Sequence, residues 1–220
     1  LYNSADTSSA GLTNLGQGTP FYFSWSPDGE AMVIHRNNNA LQYYMTQSNE
    51  IVDIDSGILG NFLSPAWSPV DDRILFATQS EDNQSQLTIL DGDVMKVIGN
   101  RVDGVLSFSW SPDGQFIAYR YVTSDAISPV YVIDAETGDY ISQSNVSGVL
   151  AFFWSPDSQK IAYVTLSNAP GSFDIRNDVS GGLNAYMVQD VDGFSWNILN
   201  IEDNTNMLLD SFVPTSDMQY

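Results

Sequence analysis

At 220 residues the chain can bury one substantial core, and 43% apolar against only 15% charged residues marks it as globular and not disordered. Its 27 Asp and Glu against 7 Lys and Arg leave a formal charge of −20, which repels phosphate backbones and anionic lipid surfaces and leaves cations, basic proteins and neutral polymers as partners. There is no cysteine, hence no disulfide, thiolate metal site or cysteine nucleophile, and no apolar run reaches the roughly 20 residues of a membrane span.

Residues 1–19 carry a short strand at Leu1-Tyr2-Asn3, a Ser-rich turn and Gly11-Leu12-Thr13-Asn14-Leu15-Gly16. That is the cadence of the last two strands of a four-stranded unit, with its first two expected before Leu1. The chain opens on Leu1 and shows no basic n-region or apolar h-region, so it reads as a processed or excised piece. Phe21-Tyr22-Phe23-Ser24-Trp25 is a dense aromatic strand suited to burial on both faces, broken by Ser26-Pro27-Asp28-Gly29. Proline fixes φ and cannot donate to a ladder, aspartate bonds its own backbone two residues on, and glycine tolerates positive φ. Glu30 to Arg36 returns, then Leu41 to Met45 and Ile51 to Ile54 follow: four short strands in a little over forty residues.

The same order recurs. A second unit runs from Phe62 through Ala66-Trp67, Arg73 to Ala77, Gln86 to Leu90 and Val94 to Ile98; a third from Leu106-Ser107-Phe108-Ser109-Trp110 through Phe116 to Arg120, Val130 to Ile133 and Tyr140-Ile141. The fourth opens with Leu150 to Trp154 and Ile161 to Val164. An insertion over 166–192 interrupts it before Ser195 to Leu199, where Trp196 reads as a third-strand residue, and Met207-Leu208-Leu209 close the unit. Trp25, Trp67, Trp110 and Trp154 stand 42, 43 and 44 residues apart, each followed by Ser-Pro. The motif is intact at Pro27-Asp28-Gly29 and Pro112-Asp113-Gly114. It is altered at Pro69-Val70-Asp71 and at Pro156-Asp157-Ser158.

A period in that range, in units apolar on both faces, predicts radially stacked blades. The expected fold is all-β, a β-propeller of four-stranded antiparallel blades in a single domain over 1–220. It has a partial blade at 1–19 and complete blades at about 20–61, 62–104, 105–148 and 149–213. The tail from Phe212 to Tyr220 reads as the lead-in to another inner strand, which favours a truncated larger propeller.

The pattern Trp-Ser-Pro-Asp-Gly-x-x-Ile-Ala-Tyr, best kept at Trp110 to Tyr119 and Trp154 to Tyr163, resembles the WD40-like repeats of TolB-type propellers. The same repeats occur in the propellers of prolyl-oligopeptidase-type peptidases. The resemblance covers about residues 20 to 213 and is specific for fold; it implies that the Asp-Gly pair is a turn between first and second strands. It also implies a non-catalytic scaffold for proteins or peptides in a periplasmic or extracellular setting.

Enzymatic chemistry has few carriers here. His35, the single histidine, is expected as an ordinary surface or strand-end residue, and no Gly-x-Ser-x-Gly elbow or Walker loop exists. A hydrolase domain would have to lie outside the chain. Asp53-Ile54-Asp55-Ser56-Gly57, Asp91-Gly92-Asp93 and Asp190-Val191-Asp192-Gly193 read first as hairpin turns. Calcium candidates would be Asp190 and Asp192, beside the insertion. No cofactor is expected. The four tryptophans before Ser-Pro are expected in the core, and Phe21, Leu63, Leu106 and Leu150, each four residues before a tryptophan, as an apolar lining of the central channel. The charge favours a basic partner segment, and open blade edges favour self-association. Alternative readings are the propeller of a prolyl-oligopeptidase-like hydrolase and a calcium- or carbohydrate-binding propeller.

Overall fold

The computed structural model describes residues 18–19, 21–166, 174–177, 183–186 and 193–212. The first blade is β1 (Phe21–Trp25), β2 (Ala31–Arg36), β3 (Ala40–Met45) and β4 (Glu50–Asp53). The second is β5 (Ala66–Trp67), β6 (Ile74–Gln79), β7 (Ser85–Asp91) and β8 (Val94–Val102); the third is β9 (Val105–Trp110), β10 (Phe116–Val122), β11 (Tyr131–Asp134) and β12 (Tyr140–Gln143). The fourth starts with β13 (Val149–Trp154) and β14 (Lys160–Leu166). A separate hairpin, β15 (Asp174–Asn177) with β16 (Leu183–Tyr186), falls inside the predicted insertion before β17 (Phe194–Asn200) and β18 (Thr205–Phe212) complete the sheet. Every blade is antiparallel with its strands side by side in chain order. Trp196 lies on the third strand of its blade, paired with Val164.

The core lies between the blades. One cluster joins Val33 and Leu41 of the first blade to Leu75, Phe76 and Leu87 of the second and to Trp110, Ile117 and Ile133 of the third. A second joins Ala118, Val130 and Val132 of the third blade to Val149, Ile161, Tyr163 and Leu199 of the fourth. Each fully buried aliphatic or aromatic side chain contributes about 1.5–3 kcal/mol, and these layers hold most of them. A single sheet could not have sheltered them.

The inner strand expected from Phe62 is shortened to Ala66–Trp67. Pro65 has no N–H for the ladder, and the residues before it pair elsewhere. Phe62 forms a parallel bridge with Leu106; the Leu106 N–H donates to the Asn61 carbonyl at 2.9 Å, and the Leu63 N–H donates to the Leu106 carbonyl at 3.1 Å. The lead-in of the second blade is thus hydrogen-bonded to the inner strand of the third.

Three of the four repeat tryptophans pack on the preceding blade. Trp67 lies 5.8 Å from the Tyr43 ring, Trp154 lies 6.4 Å from Phe116, and Trp110 donates its indole N–H to the Ala66 carbonyl at 3.1 Å under the Arg73 guanidinium. Trp25 corrects the expectation of four core tryptophans. It has no preceding blade among the described residues and is 41% exposed, against 6% for Trp110. Trp110→Ala should cost on the order of 3–5 kcal/mol and Trp25→Ala less than about 2; equal shifts in urea midpoint would reject this division.

Candidate binding face

Antiparallel order puts the turns after first strands and the turns after third strands at one end of every blade. The repeat motif builds the first kind around its serine. Ser26 Oγ donates to Asp28 Oδ1 at 2.6 Å and accepts from the Ala31 N–H at 2.9 Å, while Asp28 Oδ1 also accepts from the Glu30 N–H at 2.9 Å. Ser111 with Asp113 and Ser155 with Asp157 repeat the arrangement, each serine donating at 2.6 Å. The Ser26 hydroxyl, then the Glu30 amide, holds the Asp28 carboxyl below its ordinary value; Ser155 and the Gln159 amide do so for Asp157. Gly29 and Gly114 close two of the turns at φ of 73° and 70°.

Both altered copies keep the turn and add a tie to the turn of a neighbouring blade. In the second, Asp71 stands one place later and still accepts from the amide two residues on, Arg73, whose guanidinium also pairs with Asp71 at 2.8 Å. The Arg73 guanidinium then reaches the Gly114 carbonyl at 3.4 Å, and Val70 fills the space a side chain at Gly114 would need. In the fourth, Ser158 adopts φ of 61° where the intact motif has glycine, is 1% exposed, and accepts from the Asp113 N–H at 3.1 Å. Ser158→Ala should keep the backbone strain, lose that bond and cost about 1 kcal/mol; an unchanged melting curve would reject the tie.

On this face the turns of the third and fourth blades leave a groove of about 460 Å³. Phe116, Ile141 and Ile201 supply apolar wall, and Asp113, Glu202, Gln115, Gln159 and Tyr140 supply polar edge, with Tyr140 55% exposed. An apolar slot edged by two carboxylates and a phenol suits a long cationic side chain, whose methylenes lie on the wall while its charge meets the carboxylates. Sequence reasoning gave Asp113 only a turn role and passed over Glu202 and Tyr140. Their convergence depends on the packing of two blades, and no local pattern carries it.

The other predicted residues fall in several places. Leu106 is fully buried in the first core cluster, while Phe21, Leu63 and Leu150 are half-buried. Asp190 and Asp192 lie outside the described residues. Among the described residues, no three of His, Asp or Glu gather as a metal would require. His35 is not the surface residue expected but 1% exposed. Its ring stacks on Phe62 at 4.0 Å, and Nδ1 donates to the Leu63 carbonyl at 2.9 Å because a carbonyl can only accept. Nε2 is buried without a partner, and burial holds the imidazole below its ordinary pKa. Ten residues after Trp110, at the same place in its blade, Arg120 is a half-buried cation that no carboxylate of the described residues pairs.

These sheets are β-propeller blades, and their fold is that of the TolB-type propellers. The chain superposes on TolB from Acinetobacter baumannii with a TM-score of 0.55 at 16% identity, over 90% of this chain and 55% of that one. An oligogalacturonate lyase in complex with manganese gives 0.55 at 15% identity, over 89% and 66%. Dipeptidyl peptidase 4 from Porphyromonas gingivalis gives 0.57 at 16%, over 89% of this chain and 33% of that one. No protein-family model and no curated protein sequence matches the chain. Among the described residues, no helix is long and apolar enough to cross a membrane.

A depressed His35 binds a proton more readily once unfolded, so its contribution is complete above about pH 6.5 and is lost as the pH falls below that value. Asp28 and Asp157, also depressed, add a further loss only below about pH 4. Urea midpoints should therefore fall between pH 8 and pH 5 in the parent, while His35→Phe gives a flat line over that range. A parental midpoint independent of pH there would contradict the buried neutral imidazole.

Proposed function

We propose that the chain is a non-catalytic β-propeller scaffold that binds a protein or peptide on the face bearing the Trp-Ser-Pro-Asp-Gly turns, with a basic segment as its preferred partner. The observation that carries this reading is the groove between the third and fourth blades, where Asp113, Glu202 and Tyr140 edge an apolar wall. The charge of −20 supports it by drawing cationic segments toward the surface. The burial of the only histidine beneath Phe62 supports it too, since that imidazole is out of reach of a solvent-borne substrate. The rigid blades position the turns, and the turns supply selectivity. Periplasmic or extracellular placement remains part of this proposal through the likeness to TolB.

A second reading is the propeller part of a prolyl-oligopeptidase-like hydrolase. It is favoured by the superposition on dipeptidyl peptidase 4, of which this chain spans 33%. In that case a catalytic domain lies outside the 220 residues, and the groove would meet substrate on its way to it.

Fluorescence anisotropy with a labelled Lys- and Arg-rich peptide, and with an acidic peptide of equal length, tests the first reading. The basic peptide should bind alone and weaken about tenfold as salt rises from roughly 0.05 to 0.3 M. Glu202→Gln and Tyr140→Ala should each weaken it about threefold to fivefold. Equal binding of the acidic peptide, or affinity indifferent to salt, would sink it.

A further inference from the structure

Among the described residues, three successive blade boundaries open on the turn-bearing face, and the register makes them comparable. Asp93, Glu136 and Glu202 hold one and the same position. Each stands three residues past a third-strand residue, Leu90, Ile133 or Leu199, whose partner Ile74, Ile117 or Ile161 pairs in turn with the repeat tryptophan. Each of these acids faces the preceding blade. Glu202 edges the groove that Phe116 walls, Glu136 meets Lys96 at 3.4 Å, and Asp93 lies close enough to Tyr43 for its charge to act on the phenol.

At the middle boundary the chain supplies its own cations. The Arg73 guanidinium lies over Trp110 at 4.9 Å, and Lys96, on the outer strand of the second blade, donates to both the backbone carbonyl and the carboxylate of Glu136. An aromatic wall, a carboxylate and a cation therefore fit together in this architecture. The two flanking boundaries have the wall and the carboxylates without the cation. One is the groove between the third and fourth blades. At the other, Tyr43 packs 5.8 Å from Trp67, and burial, then the carboxylates of Asp72 and Asp93, hold its phenol above the ordinary pKa. Both acids are exposed, and neither is in an ion pair among the described residues. The register puts Val52, opposite Tyr43 and 50% exposed, where the second blade has Lys96 opposite Ile89.

We propose that the boundary between the first and second blades is a second cation site, where Asp72 and Asp93 receive a Lys or Arg side chain laid against Tyr43. One basic partner is then held at two places on the same face, on either side of the boundary that Arg73 and Lys96 fill. The second site rests on the reading of the groove as a place for a basic segment, and it adds a pattern to that segment. The partner carries two basic clusters with a neutral stretch between them, because the carboxylates of the middle boundary already have their cations.

Fluorescence anisotropy at roughly 0.05 M salt compares a labelled peptide with one Lys-Arg-Lys cluster against peptides with two such clusters joined by Gly-Ser linkers of increasing length. Affinity should pass through an optimum of linker length, where the two-cluster peptide binds at least about tenfold more tightly than the one-cluster peptide. Asp72→Asn combined with Asp93→Asn should remove that gain and change one-cluster binding by less than about twofold. Val52→Lys, which gives this boundary its own ammonium as Lys96 does at the next, should remove the gain as well. Glu81→Gln combined with Asp125→Asn, exposed on turns at the opposite end of the blades, removes the same charge and should leave the gain intact. A gain that survives the Asp72 and Asp93 changes, or that is lost equally in the distant pair, overturns the second site and leaves the groove standing. Binding that responds to Asp72 and Asp93 but not to Glu202→Gln keeps the second site and overturns the groove. Absence of binding by every peptide overturns both.

Discussion

A four-stranded sheet with apolar side chains on both faces has to be covered twice, and everything else in this molecule follows from that. The fully buried positions, Val33, Leu75, Phe76, Ile117, Val132 and Ile161, lie in layers shared by neighbouring blades and not within any one of them. A blade therefore has little stability of its own, and its neighbours set the burial of its residues. The contrast between Trp110 and Trp25, identical in local sequence and different in exposure, is the direct expression of this dependence.

The turns solve a smaller problem with the same economy. A proline after the first strand removes a ladder donor, and the serine hydroxyl before it takes up both the aspartate and the returning amide, so these groups are satisfied within the turn. Two copies depart from the motif, and the departures are where turns become tied to each other: Arg73 to Gly114, and Ser158 to Asp113. The altered turns make the ties, and the intact turn of the third blade receives both.

Much of the architecture was legible because it is periodic. Four tryptophans 42 to 44 residues apart, each followed by Ser-Pro, fix where strands break, and alternation in between fixes how many there are. What was not legible depends on contacts between units. His35 looks like an ordinary strand-end residue until Phe62, from another blade, covers its ring. Leu63 looks like an inner-strand residue until Pro65 interrupts the ladder and the amide of Leu63 turns to Leu106. Asp113 and Glu202 belong to separate turns, Tyr140 opens the outer strand β12, and the three have no shared pattern in the chain. The stacking of two blades makes them one groove.

The bridge between Phe62 and Leu106 bears on how such a protein can be made and altered. The lead-in of the second blade finds its hydrogen-bonding partner only in residues synthesised some forty positions later, so that blade cannot finish until its successor has begun. Repeats that look interchangeable in sequence are in fact interleaved. Cutting, duplicating or transplanting a unit at its apparent sequence boundary would separate Asn61 and Leu63 from the strand that satisfies them, and the true module is offset from the written one.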